Sequence, residues 1–294
     1  MNDLSKARAT WLEVGEESAA QRIDNFLFRQ LKGVPKSHVY RVLRSGEVRV
    51  NSGRVGPAYR LQPGDRIRIP PVRTSARPPP ARPAEFPIVY EDAALLVLDK
   101  PAGLLCVPGR GSDKQDCLSA RAQRRWSDAL IVHRLDMATS GLVLMARGAA
   151  MQRALSQAFA ARKIEKRYQA IVDGALPEGE TGWSLIDAPI AADWPRRPLR
   201  IIDAAGQPSR TRWRVLCALP ERSATHLELE PLTGRTHQLR VHLASIGHPI
   251  LGDALYGNEQ VQARAPRLLL HATELAFVHP ATQQPLRFVS AVPF

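Results

Sequence analysis

Ile131–Arg147 reads IVHRLDMATSGLVLMAR. An apolar pair enters it, and an apolar run interrupted by Thr139, Ser140 and Gly141 leaves it. That pattern predicts a turn holding His133, Arg134 and Asp136 between two half-buried segments. A carboxylate is unusual in such a place, because burying an unpaired charge is costly or forces the group to neutralise. Two roles fit Asp136. It caps the following turn, its side-chain oxygen accepting the backbone N–H groups of Thr139 and Ser140, or it is a lone catalytic carboxylate held in a dry cleft.

The stretch sits in a chain of 294 residues, long enough for one large domain and a small one. Hydrophobic residues at 44% and charged ones at 23% match a globular protein. No run of about twenty apolar residues is present, so no membrane span is expected. The first twenty residues hold Glu13, Glu16 and Glu17 and no apolar block, which argues against a secretory signal and predicts a cytoplasmic protein. Cys106, Cys117 and Cys217 are odd in number and lack CxxC spacing, excluding a recognisable disulfide framework or zinc site. His237 and His242 are not part of an HExxH arrangement, and no metal is expected.

Charge is placed unevenly. Between Gln21 and Arg82 the chain carries 14 Lys and Arg against 3 Asp and Glu, whereas from residue 83 onward the balance is 25 against 21. A compact basic module beside a nearly neutral larger one points to a polyanionic partner gripped by the small module.

Within that module, Ile23, Phe26, Leu27 and Leu31 fall at helical spacing over residues 21–31, with Gly33 and Pro35 as stop signals. Ser37 is positioned to cap a second helix carrying Val39, Tyr40, Val42 and Leu43, which Gly46 ends. Val48–Val50 and RIRIP after Pro63-Gly64-Asp65 alternate as strands. This order of elements resembles the S4 RNA-binding domain. The resemblance implies that Lys36, Arg41, Arg44, Arg49 and Arg54 meet RNA phosphates. The division expected is an N-terminal extension over 1–20, the S4-like domain over 21–70, a Pro/Arg-rich linker over 71–85 and a large domain over 86–294. The linker's Arg73, Arg77 and Arg82 are candidate RNA contacts or simply keep it soluble.

The large domain opens with strands at Ile88–Tyr90 and ALLVLDK, followed by helical residues 117–126. An Ala-rich helix over 149–161 places Met151, Leu155 and Phe159 on one face. It runs into Arg162, Lys163, Lys166 and Arg167, ahead of a strand RYQAIVDG whose Tyr168 is either a core aromatic or a site residue. DWPRRPLR (193–200) is too polar for a core and suits a backbone phosphate. Residues 212–217 and 226–232 read as an antiparallel pair. In TGRTHQLRVHLASIGHPILGD (233–253), Thr236 is the expected cap, and Leu239, His242, Leu243 and Ile246 form the apolar stripe. Arg240 lies off that stripe near a helix N-terminus, where the dipole does not favour a cation, so either an acidic partner or solvent holds it. RLLLHATELAFVHP (267–280) reads as one buried and one alternating strand.

HRLDMATSG, KRYQAIVDG and TGRTHQLRVHLASIGHPILGD with its LLLHA continuation together resemble the RluA-type RNA pseudouridine synthases, in the family's order, over about residues 86–294. The resemblance implies an α+β protein: a large mixed, mainly antiparallel sheet with flanking helices, plus the small N-terminal S4-like domain. It implies that Asp136 is the catalytic carboxylate, Tyr168 the aromatic packed on the target base and Arg240 the cation paired with Asp136. Arg134 would enter the RNA stack vacated by the uridine, and Lys166 would bind RNA. GLLCVPGR and DWPRRP are similar to the RluA branch, which modifies ribosomal and transfer RNA. An S4 domain is similar to the RluC and RluD branches, which modify 23S ribosomal RNA. RNA is therefore the expected partner, 23S ribosomal RNA first and transfer RNA second, with no obligate protein partner.

The chemistry so implied breaks N1–C1′, rotates the base and joins C5 to C1′ without redox change, so no cofactor is expected. Everting the nucleotide costs a few kcal/mol. Asp136, ionised beside a cation within about 4 Å, either attacks C1′ or takes a proton from C2′. A glycosidase would pair two carboxylates across the bond, and only Asp136 stands in a suitable motif. Tyr168, with an ordinary phenol pKa of about 10, needs help to act as a base. The competing functions are a non-catalytic RNA-binding ribosome-assembly factor or chaperone, and a nucleoside hydrolase that would release uracil.

Overall fold

The computed structural model describes residues 9–31, 34, 36–71, 86–109, 115–176 and 182–294. The linker's Arg73, Arg77 and Arg82, and the stop signals Gly33 and Pro35, lie outside the described residues, as do the side chains of Lys36 and Ser37. The described residues form two compact units, 9–71 and, Gln115 apart, 86–294. No helix among them is long and apolar enough to cross a membrane.

The smaller unit contains β1 (Thr10–Glu13), α1 (Ile23–Gln30), α2 (Lys36–Arg44), β2 (Arg49–Val50), β3 (Gly53–Arg54) and β4 (Arg66–Ile69). Its four strands pair antiparallel in the order β1-β4-β2-β3. Ile23, Phe26, Leu27 and Leu31 from the first helical stripe meet Val39, Val42, Leu43, Val50 and Ile67 in one core. Two local details differ from the sequence pattern. Ser37 lies inside α2 rather than before it. Thr10–Glu13, read as part of an extension, is an edge strand of this sheet, because Leu12 continues the alternation and packs against the same core.

The larger unit continues with β5 (Ile88–Glu91), β6 (Leu95–Lys100), α3 (Leu118–Arg125), β7 (Ala129–Ile131), β8 (Ser140–Arg147), α4 (Gly148–Ala160), β9 (Glu165–Asp173), β10 (Ser184–Asp187), β11 (Ile190–Ala192) and β12 (Arg200–Ile202). It ends with β13 (Arg210–Leu219), β14 (Ala224–Pro231), α5 (Gln238–Ser245), α6 (Glu259–Ala263), β15 (Leu270–Val278) and β16 (Pro285–Val289). Ten strands form one mixed sheet in the order β10-β13-β14-β9-β15-β8-β6-β5, with β16 on β15 and β7 on β8. Among the strands of this sheet in the described residues, β8 and β15 are the pair that runs parallel. The segment 270–278, expected as two strands, is one, and β16 supplies its antiparallel partner.

Central strands are covered on both sides. Leu96, Leu98, Val143 and Met145 pack toward α3 through Leu118 and Ala122. Leu95, Val97, Leu142 and Leu144 pack toward α4 through Leu155. Ser140–Ala146 is accordingly buried throughout rather than half-buried, which is why its sequence is an apolar run and not an alternation. Gly141 makes the parallel seam between β8 and β15 close. Its φ is +113°, and a Cβ there would lie 2.3 Å from the Ala272 carbonyl oxygen, so no other residue fits. That seam places the turn at residues 132–139, immediately before β8, against the head of β15.

Candidate active site

Asp136 hangs from the β7–β8 turn, and that turn is held from behind. Lys100, fully buried, donates from Nζ to the carbonyls of Pro101 (2.9 Å), Leu104 (2.8 Å) and Met137 (3.2 Å). Burial pulls its ammonium down to about 8. Gly103 N–H also donates to Met137 O at 2.8 Å, and Leu135 N–H donates to Cys106 Sγ at 3.2 Å. Residues on both sides of Asp136 are therefore fixed through their main chains, which leaves its carboxylate free to face outward.

The carboxylate does not cap the turn. Thr139 N–H goes to the main-chain oxygen of Asp136 at 3.2 Å. The side chain instead lines a cleft of about 730 Å³, in the range of sites that enclose a small ligand. Its side chain is 24% exposed, so the expected dry setting is corrected to a half-buried one open to the cleft.

Two groups on and just before α5 face it. Arg240 Nη1 lies 3.7 Å from Oδ2, and His237 Nε2 lies 3.9 Å from Oδ1. Arg240 is the paired cation expected from the sequence, but Asp136 is its secondary partner. Its fork closes on Asp253, Nε to Oδ2 at 2.8 Å and Nη2 to Oδ1 at 2.6 Å, with both side chains buried. Burial opposes the charged guanidinium, yet the bidentate bond to Asp253 prevails and raises its pKa above the usual arginine value. Asp253 in turn accepts the N–H groups of Leu255 (2.8 Å) and Tyr256 (3.1 Å), and Arg240 lies 5.2 Å from the centre of the Tyr256 ring. The cation is thus rigid and already neutralised, and Asp136 meets it without a direct hydrogen bond.

The helix carrying Arg240 is buried all round. Gln238 to Leu243 are all buried, whereas Ile246, assigned to the stripe, is 37% exposed. His242 bonds Thr211 Oγ1 (2.9 Å) and Ala188 O (3.0 Å) rather than joining an apolar face. Thr236 is not the cap: His237 occupies that position, with left-handed φ of 58°. The preceding turn is closed by Gln238, whose Oε1 accepts from Thr233 Oγ1 (2.7 Å) and Arg235 N (3.1 Å). His237 Nδ1 lies 2.7 Å from Tyr256 Oη, which accepts the Arg200 N–H at 2.9 Å. The Tyr256 hydroxyl thus fixes the ring through Nδ1, with Nε2 on the side of Asp136. Burial lowers the His237 pKa and keeps the ring neutral, despite the opposing charge of Asp136.

Tyr168 on β9 lines the same cleft. Burial, reinforced by the charge of Asp136, raises its phenol pKa well above the usual value. The phenol stays protonated, so it is suited to stack and donate, not to act as a base. Arg134 is exposed at the mouth, where Arg162, Lys166, Arg210 and Arg235 also gather. Lys166 is partly buried, lies 6.0 Å from the Phe159 ring centre, and has its pKa lowered by burial. Of the other carboxylates in the lining, Glu230 is bound by Arg167 (2.7 Å) and Arg212 (3.1 Å), and Glu165 is exposed. Asp136 is the one of the three that is half-buried and has no arginine in direct hydrogen-bond contact.

In the smaller unit Arg41, Arg44, Arg49 and Arg54 are all exposed. Arg49 pairs across the sheet with Arg54 on one side and Arg68 on the other. Like charges directly opposite one another are destabilising unless an anion answers them. Arg41 is partly answered by Glu47 at 3.5 Å. Lys36 opens α2.

Asp253, His237, Tyr256 and Lys100 are site residues that motif reading did not single out. Asp253 closes the quoted stretch HPILGD, and its position 13 residues after Arg240 is the one clue available.

A cleft ringed by cations, on a unit accompanied by a second cationic unit, is suited to an enzyme working on nucleic acid. Comparison with known proteins narrows the class. Residues 94–245 match the family described as RNA pseudouridylate synthase, and residues 21–67 match the S4 domain. Ribosomal large subunit pseudouridine synthase C of Vibrio vulnificus (strain CMCP6) is 40% identical, over 97% of this chain and 93% of that protein. The Vibrio cholerae protein of the same name is 39% identical, over 97% and 94%. Among solved structures, human RNA Pseudouridylate Synthase Domain Containing 1 aligns with a TM-score of 0.61 at 27% identity, covering 74% of this chain and 87% of that one. The chain belongs to the RNA pseudouridylate synthase family, with an S4 domain at its N-terminus, and is an isomerase that converts uridine to pseudouridine in RNA.

Proposed function

We propose that this isomerase modifies uridines of large-subunit ribosomal RNA, with Asp136 as the group that acts on the ribose. The observation that carries the assignment is the isolation of Asp136: its turn is bolted through the main chain, its carboxylate faces the cleft, and Glu230 is already engaged by two arginines. The names of relatives that align over both units support ribosomal RNA as the substrate, and the arginine row Arg54–Arg49–Arg68 gives the smaller unit a surface for its phosphates.

In the isomerisation N1–C1′ breaks, C5–C1′ forms, the C5 proton leaves and N1 acquires a proton, so atoms and electrons balance without a cofactor. Asp136 acts on the sugar, at C1′ as nucleophile or at C2′ as base. Arg240, immobilised by Asp253, and the His237 ring stand 3.7 and 3.9 Å from the carboxylate, so neither occupies its oxygens through a short hydrogen bond. Tyr168 packs on the uracil so that it is retained while it turns. Arg134, exposed at the mouth, takes the place of the everted nucleotide in the stack, and Lys166 holds the adjoining backbone.

Asp136→Asn tests the assignment. Pseudouridine formation in ribosomal RNA should fall to background, while affinity for the same RNA stays within about two-fold, since phosphate contacts supply most of it. Product formed at the unsubstituted rate would remove Asp136 from the chemistry. Release of free uracil by the unsubstituted enzyme would make it a hydrolase.

A further inference from the structure

Between β11 and β12 lies the tip DWPRRPL (193–199), which the chemistry of the cleft does not use. Trp194 there is 70% exposed, more than any other large apolar side chain among the described residues. The Arg197 guanidinium lies 3.4 Å from the centre of its ring. One face of the indole is therefore backed by a cation and the other is open.

The tip is rigidly built. Asp193, 5% exposed, accepts from the backbone N–H of Arg196 at 3.2 Å and from Arg196 Nε at 2.7 Å. Asp193 N–H donates to Leu199 O at 3.1 Å, and Leu199 N–H donates to Arg196 O at 3.0 Å, closing the loop on itself. Immediately after it, Arg200 N–H donates to Tyr256 Oη, the hydroxyl that fixes His237 opposite Asp136. The tip is thus tied through Tyr256 to His237, which lines the catalytic cleft. Asp193 offsets Arg196, which leaves Arg197 as the surplus positive charge beside the bare indole.

We propose that Trp194, backed by Arg197, is a stacking platform for an unpaired nucleobase of the substrate RNA, a subsite beside the cleft that takes Asp136's nucleotide. The inference rests on the reading that RNA is the substrate. An open aromatic face backed by an arginine matches a base and its neighbouring phosphate. Only an unpaired base can offer its face. The rigid tip means that little side-chain freedom is lost on stacking.

The test uses the full chain and a ribosomal RNA fragment that it modifies. Single-turnover pseudouridine formation is followed against enzyme concentration for the unsubstituted protein, Trp194→Ala and Trp194→Phe. Trp194→Ala should raise the half-saturating concentration roughly ten-fold or more, leave the maximal rate within about two-fold, and melt at the same temperature. Trp194→Phe should recover most of the loss. 2-Aminopurine placed in turn at unpaired positions near the target should be quenched at one position by the unsubstituted protein and by Trp194→Phe, but not by Trp194→Ala. An unchanged half-saturating concentration in Trp194→Ala, or a fall in maximal rate alone, overturns the subsite and leaves the isomerase reading standing. An unsubstituted enzyme that binds RNA yet forms no pseudouridine in any fragment overturns the reading itself, and the subsite with it.

Discussion

Asp253→Asn isolates the one contact that makes Arg240 a fixed cation. In the native protein the Arg240 fork is spent on Asp253 at 2.6 and 2.8 Å, and Asp136 stands off at 3.7 Å. Asparagine preserves shape and one acceptor but removes the charge, leaving a buried guanidinium whose nearest remaining anion is Asp136. Removing one partner of a buried pair costs about 3–5 kcal/mol. The conservative replacement belongs at the low end, and about 3 kcal/mol in a domain of this size lowers Tm by roughly 6–12 °C. The guanidinium also turns toward Asp136 and closes the gap to a direct hydrogen bond, which engages the oxygens meant for the ribose. Single-turnover pseudouridine formation, measured well below the new Tm, should fall roughly ten- to hundred-fold, with RNA affinity within about two-fold. The double variant Arg240→Met/Asp253→Leu removes both buried charges and should regain most of the lost stability while remaining inactive. An Asp253→Asn protein that melts and turns over like the unsubstituted one would refute the claim that Asp253 holds Arg240 away from Asp136.

Further expectations concern the scaffold and the RNA grip. Lys100 is lowered to about 8 from 10.5 in the fold by burial, so between those pH values the unfolded chain binds the extra proton and stability rises with pH. Urea unfolding should show a gain of roughly 3 kcal/mol across that window that is missing from Lys100→Met, and parallel curves would count against it. Replacing Arg44, Arg49 and Arg54 together by Gln should weaken RNA binding and reduce the slope of log K against log salt by roughly 2–3, with the rate at saturation unaffected. An unchanged slope would place the RNA elsewhere. Gly141→Ala should disrupt the β8–β15 seam, because the added Cβ would lie 2.3 Å from the Ala272 oxygen at a φ of +113°. A soluble variant with native Tm would mean that the seam tolerates more than its geometry allows.

Much of the molecule was legible in residue order. Ile23, Phe26 and Leu27 at helical spacing, and Met151, Leu155 and Phe159 on α4, each reflect a period set by local backbone geometry. They pack where that period places them. The turn around Asp136 was marked by a polar interruption between apolar runs, and the charge excess of the first module is a count. Where the pattern misled, a neighbour distant in sequence had overridden a local rule. The stripe on α5 misassigned Ile246 because the helix ends at Ser245 and leaves Ile246 at its exposed C-cap, while Gln238 to Leu243 are buried on every side, so apolar periodicity does not tell inside from outside.

Residue order is enough to mark the elements, the cationic module and a carboxylate set in a turn, because propensity, spacing and charge act over a few residues. The surroundings of that carboxylate come from contacts between distant parts of the chain. Lys100 and Cys106 hold the turn by its main chain, Asp253 takes the Arg240 fork, and Tyr256 orients His237. These partners lie on separate elements, and the Gly141 seam brings β15 against the head of the turn. Hydrogen bonds and ion pairs act over a few ångströms, so the free lone pairs of Asp136 depend on strand register and not on its neighbours in the chain.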